Sequence, residues 1–306
     1  MDLTGRRAPL VAAEWEPKML VFRPVSASRD GRVVALSAPS ARSASALYVL
    51  RTETGRLDVI FDEPQILAVE PQISPDGTKV AFTQLRVSGT SGADLGIWLH
   101  DRTNGSMRSI AEPQAVSGAF AAGLGWSSDG ASLAIKRSFA QPSVRLVPTV
   151  GGSEIPVADG HRVSWRARAP ELLIGATMLG GQVVRIQTYD MATKTVREVH
   201  RVERSILRDL QWHPTAGRFI YGQNEPGIIG RSPEFELWQR NADGSQATLI
   251  ERSTRGQMFP EWSPDGSLLT GFQADSSTTI GLIEMPSGRR IATLCRQGGT
   301  PPDRCT

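Results

Sequence analysis

The side chains of this 306-residue chain best suited to chemistry are four histidines, two cysteines, and aspartates and arginines scattered among turns and loops. His161 and His200 flank one segment and are the pair that could converge on a metal, but no third ligand stands at a suggestive spacing. His100 falls at the end of an apolar run, and His213 lies within WHPTAG, which reads as a turn. No G-x-S-x-G elbow, H-E-x-x-H helix, phosphate-cradling glycine loop or C-x-x-C pair occurs. No catalytic residue, metal ligand set or cofactor is therefore expected.

Cys295 and Cys305 are separated by the Gly- and Pro-containing stretch RQGGTPPDR. A loop of that length can close into a disulfide, which would indicate an oxidising compartment; two free thiols is the equal alternative. The net charge is +3 with no run of like charges, so a nucleic-acid-binding arm is not indicated. No apolar stretch approaches the roughly 18 residues of a membrane helix.

The elements that must hold these residues come from an internal repeat. A short apolar strand, a Ser/Pro-Asp-Gly turn and a second apolar strand recur as PVSASRDGRVVALS (24–37), PQISPDGTKVAFTQ (71–84), GLGWSSDGASLAIK (123–136) and FPEWSPDGSLLTGF (259–272). Degraded copies stand at 162–175 and 210–223. A third strand, a tight turn such as the Asn104-Gly105 hairpin, and a fourth strand complete each unit. The spacing predicts an all-β fold: a six-bladed β-propeller with four antiparallel strands per blade. The blades fall near 20–62, 70–111, 123–158, 162–200, 207–251 and 258–295, with a tail at 296–306. Asp30, Asp76, Asp129 and Asp265 are assigned to the turns as structural groups. Trp126, Trp165, Trp212 and Trp262 all precede the turn by one residue, a place held elsewhere by Ala27 and Ile73, and are expected to be buried between blades.

SPDGTKVAF (74–82) and WSPDGSLLTGF (262–272) resemble the WD40-like repeat of TolB-type propellers. The resemblance covers roughly residues 20 to 295 and implies a binding scaffold, often found in bacterial envelope proteins, with no transferable catalytic residue. The resemblance does not extend to the extra N-terminal α/β domain of TolB, which is expected to be missing. The segment 1–19 reads as a surplus pair of strands, expected to dock on the edge of the last blade; a chain cut from a longer protein is the alternative.

Turns between the first and second and the third and fourth strands are tight. Long Gly- and Ser-containing connections gather instead at 37–46, 83–95, 111–123 and 222–234, and such dispensable loops usually carry binding. Near them stand Arg86, Arg137, Arg204, Arg208, Arg231 and Arg255, with Met258 and Phe259. The functional expectation is a monomeric, non-enzymatic scaffold that binds a protein or peptide there, in a periplasmic or extracellular setting. A lyase or lactonase-like hydrolase acting in the central channel is the rival function, and the cytoplasm the rival location.

Overall fold

One turn, made four times in nearly the same way, organises the strands. Ser28, Ser74, Ser127 and Ser263 each donate from Oγ to Oδ1 of the aspartate two residues on (Asp30, Asp76, Asp129, Asp265) at 2.5–2.6 Å. Each aspartate Oδ1 also accepts the backbone N–H of Arg32, Thr78, Ala131 or Ser267 at 2.9–3.1 Å. The serine Oγ then accepts the amide five residues on, where the next strand opens. The hydroxyl and amide donors from Ser263 and Ser267 hold the Asp265 carboxyl down to about 2, so these acids act as fixed acceptors.

The structure, a computed structural model, describes residues 25–88, 92–116, 124–137, 142–178, 183–225, 234–253, 260–273, 279–285 and 287–296. Blade 1 comprises β1 (Val25–Ala27), β2 (Val33–Ala38), β3 (Ala46–Arg51) and β4 (Arg56–Phe61). Blade 2 comprises β5 (Ile66–Ile73), β6 (Lys79–Ser88), β7 (Gly92–Asp101) and β8 (Met107–Val116). Blade 3 follows with β9 (Gly125–Trp126), β10 (Ser132–Arg137), β11 (Ser143–Pro148) and β12 (Ile155–Asp159). Blade 4 holds β13 (Arg162–Trp165), β14 (Glu171–Met178), β15 (Val183–Asp190) and β16 (Thr195–Val202). Blade 5 holds β17 (Ile206–Trp212), β18 (Arg218–Asn224), β19 (Phe235–Asn241) and β20 (Thr248–Ser253). Blade 6 is built from β21 (Glu261–Trp262), β22 (Leu268–Gln273), β23 (Thr279–Glu284) and β24 (Arg289–Arg296). Every sheet is antiparallel and runs in chain order, so the protein is a six-bladed β-propeller, all-β as its repeat predicts. By its internal contacts the chain divides into two compact units, Met1–Asp159 with blades 1–3 and Gly160–Thr306 with blades 4–6.

Within each unit the core lies between blades. Ala35, Leu47 and Val49 of blade 1 pack on Ile73, Val80 and Phe82 of blade 2. Leu85, Ile97 and Leu99 meet Trp126, Leu133 and Ile135 of blade 3. In the second unit Leu173, Val184 and Ile186 meet Leu207, Leu210, Trp212 and Phe219, and Ile220, Phe235 and Leu237 meet Leu269, Ile283 and Met285. The residue just before the tryptophan place ties one innermost strand to the next. The Ile73 amide donates to Ser26 Oγ at 3.0 Å and the Trp212 amide to Ser164 Oγ at 2.9 Å, while Gln211 Nε2 donates to the Pro260 carbonyl.

Two expectations change in detail. Trp126 and Trp212 are buried, at 7% and 4% exposure, but Trp165 and Trp262 are only half-buried. The stretch 83–95 is not a free loop: β6 and β7 continue as a ladder up to the Ser88–Gly92 pair, and β8 follows them as far as Val116.

Three of the four turn glycines, Gly77, Gly130 and Gly266, also face the preceding blade. All four hold positive φ, from 69° to 75°. A Cβ on Gly31 would meet nothing within 4 Å, whereas one on Gly266 would sit 2.2 Å from the His213 ring. Gly31→Ala should therefore cost only the left-handed backbone penalty, about 1 kcal/mol. Gly266→Ala should cost about 1–3 kcal/mol more, because blades 5 and 6 must separate. Urea unfolding of the two variants compares them directly. In the same assay Trp126→Ala and Trp212→Ala should each lose about 3–5 kcal/mol through cavity formation.

Candidate functional site

The arginines expected to form a binding surface have different fates. Arg86, near the end of β6, is exposed and has no ion-pair partner among the described residues. Arg204 is exposed in the short connection from β16 to β17, at a φ of 53° that a non-glycine residue rarely adopts. Arg208 is half-buried, and its Nε donates to Oδ1 of the buried Asn224. Arg137 departs from the expectation: it is 5% exposed and pairs with Glu154, so it braces blade 3 instead of offering a free cation. Arg231, Arg255, Met258 and Phe259 lie outside the described residues, as do Cys305 and the side chain of Cys295.

The histidines do not converge. His161 Nδ1 accepts the Thr177 amide at 3.3 Å, while His200 Nε2 lies 3.0 Å from the hydroxyl of the buried Tyr221. Arg240 Nε donates to that same hydroxyl at 3.3 Å. Burial, reinforced by the Arg240 charge, pushes the His200 imidazole down to about 4. Among the described residues no group of three or more His, Cys, Asp or Glu side chains is placed to hold a metal.

The innermost strands of the second unit gather charges that sequence reasoning passed over. Arg162 on β13 and Asp209 on β17 each stand three residues before the tryptophan of their blade, and Glu261 on β21 stands one before. A β-bulge between Leu207 and Asp209 leaves Arg208 as the extra residue and resets the register, so that Asp209 pairs with Gly222. The missing side chain at Gly222 makes room for the carboxyl: a Cβ there would lie 3.2 Å from Asp209 Oδ2. Oδ2 is shut off from solvent and has no hydrogen-bond partner among the described residues. Burial pushes the Asp209 carboxyl up to about 7, with Arg162 opposing, Glu261 adding and Arg208 opposing. Glu261 keeps solvent access among closely packed neighbours, and that partial desolvation raises its carboxyl too. The available signal was a charged residue in strands whose apolar alternation marks them as innermost.

No protein-family model matches the sequence. Over 132 residues, 43% of the chain, it is 29% identical to the Tol-Pal system protein TolB of a Polaromonas species, and the match spans 28% of that protein. The crystal structure of TolB from Acinetobacter baumannii superposes with a TM-score of 0.59 at 11% identity, covering 90% of this chain and 63% of that one. The fold is TolB-like. The same TolB-like propeller also matches a puromycin-hydrolysing peptidase of Mycobacterium tuberculosis, with a TM-score of 0.67 at 15% identity, covering 95% of this chain and 48% of the peptidase. A TolB-like fold thus occurs in a Tol-Pal system protein and in a peptidase, and the fold by itself assigns neither role. Among the described residues no helix is long and apolar enough to cross a membrane.

His200 gives this site a pH signature. Its folded-state value lies below the ordinary 6.5, so its contribution to stability is complete above 6.5 and is lost as the pH falls towards about 4. Its imidazole resonance in an NMR titration should show a midpoint near 4, and Tyr221→Phe should change that midpoint without unfolding the chain.

Proposed function

We propose that the protein is a non-enzymatic scaffold whose loop-bearing blade ends bind an acidic or extended segment of another protein. The observation that carries this reading is the asymmetry of the blades. Turns of four to six residues stand at one end of each blade; at the other stand the longest connections, 39–45, 117–124 and 225–234, along with short ones, the extended β6–β7 ladder, and the exposed cations Arg86 and Arg204. An arginine without an ion-pair partner keeps a planar fork of donors for a carboxylate on a partner. The likeness to a Tol-Pal system protein supports a role in a protein assembly, and with it a periplasmic or extracellular setting. Arg208, which braces Asn224, and, in sequence, Arg231, Arg255, Met258 and Phe259 are proposed as further contacts.

One observation favours a catalytic second reading: a raised carboxyl such as Asp209 on an innermost strand is suited to general acid–base work in a channel. Turnover in a screen of lyase and hydrolase substrates that disappears in Asp209→Asn would establish it.

Binding is tested by capture of partners from envelope extracts of the native host, followed by titration of the identified partner. Charge reversal at Arg86 and Arg204 together should weaken binding about tenfold or more, and added salt should weaken it further. Matching charge changes at Thr54 and Lys194, in tight turns at the opposite blade ends, should leave affinity unchanged. Loss of binding from the turn variants alone would place the surface at the wrong end of the blades.

A further inference from the structure

Among the described residues the Asp209 carboxyl is set apart by its enclosure on an innermost strand. Oδ2 is enclosed, packed over Gly222, and without a donor among the described residues. The charged groups facing it are few. Arg162 approaches from β13, Glu261 from β21, and Arg208 from the same strand. The β18 residue opposite is Gly222, which has nothing to donate from a side chain. Arg208 Nε is already committed to Asn224 Oδ1. An ionised carboxylate here buries an unmatched charge and stands against a like charge on Glu261, whereas the neutral acid removes the repulsion and lowers the desolvation cost. Immediately beyond, Gln211 Nε2 crosses to the Pro260 carbonyl, and Ile220, Leu237, Leu269 and Ile283 form the apolar seam between blades 5 and 6.

We propose that Asp209 is a proton-operated latch on this seam: as the neutral acid it lets blades 5 and 6 close at their loop-bearing end, and its ionisation loosens them. The geometry fixes the direction. The folded protein holds the proton between the ordinary 3.8 and about 7, so stability is greatest below that window and falls as the pH rises through it. Opening of the seam then grows by up to about tenfold per pH unit within the window and levels off above it. His213, at the far end of the same strand pair, titrates in the opposite sense, because its imidazole is pushed down by burial and by Arg218, with the Gly266 backbone and Asp265 opposing.

The test is a carboxyl-detected NMR titration of Asp209, joined to hydrogen exchange at the amides of residues 209–212, corrected for the intrinsic pH dependence of exchange. The expected result is a midpoint near 7 and opening that climbs with pH in the wild type but not in Asp209→Asn, which keeps His213 and every other titrating group. Glu261→Gln should lower the midpoint and Arg162→Gln should raise it. These titrations need only the carboxyl of Asp209 itself, so they decide the matter even where Asp209→Asn fails to fold. A midpoint near 4, or the same pH dependence in wild type and Asp209→Asn, overturns the proposal.

Discussion

The structure depends on the flush contact between one blade and the next. A four-stranded sheet of this kind leaves both faces apolar, and only a neighbouring sheet covers them. The repeated serine–aspartate turn makes that contact reproducible. It locks the link between the first and second strands with side-chain hydrogen bonds instead of bulk, and ends on a glycine that lets the turn lie against the preceding blade. Gly77 approaches Ser28 in this way, and Gly266 lies on the ring of His213. At the innermost strands the residue before the tryptophan place bridges to the next blade through a side chain, as Ser26, Ser164 and Gln211 show. Apolar packing supplies most of the energy at each seam, and these polar ties fix its register.

The fold was legible in the sequence because the turn chemistry is local. A serine, an aspartate two residues on and a glycine next to it encode one backbone path wherever they occur, so four copies, with two degraded ones at the same spacing, announce six blades. What lay outside local chemistry was read less well. The 83–95 stretch looks like a loop by composition, yet its two flanks pair as a ladder once a third strand lies alongside. Trp165 and Trp262 share the sequence position of Trp126 and Trp212 but not their burial, because burial depends on what the neighbouring blade presents. Arg137 reads as a loop cation until Glu154, 17 residues away in sequence, is seen to lie against it.

The charged inner-strand group was the least legible part. Arg162, Asp209 and Glu261 stand on three different blades, and no spacing rule connects residues brought together by stacking. The bulge at Arg208 displaces the register by one residue, which sequence alternation alone cannot show. Only the glycine at position 222, in a strand interior where glycine is otherwise unfavourable, hints that something packs closely there.

Blade 5 is one of the two blades in which the repeat is degraded, and its turn is rebuilt with different groups. His213 stands in the serine place, and its Nδ1 accepts the Thr215 and Ala216 amides at 3.2 and 3.0 Å, doing through a ring nitrogen what an aspartate does in the regular turns. The same ring lies 4.6 Å from that of Trp262, so the substitution adds apolar contact across the seam while it keeps the turn closed. On the other side of the blade Tyr221, His200 and Arg240 form a polar clasp with blade 4, and Arg166 reaches over the Trp212 ring at 5.2 Å. Blade 5 thus replaces a serine hydroxyl with a ring nitrogen, and leaves Asp209 Oδ2, Trp212 Nε1 and Gln223 Oε1 enclosed without a partner among the described residues. Local rules broken in one place, some answered by a new contact and some left open, mark a region under a constraint other than stability. In this propeller that constraint falls on the seams on either side of blade 5.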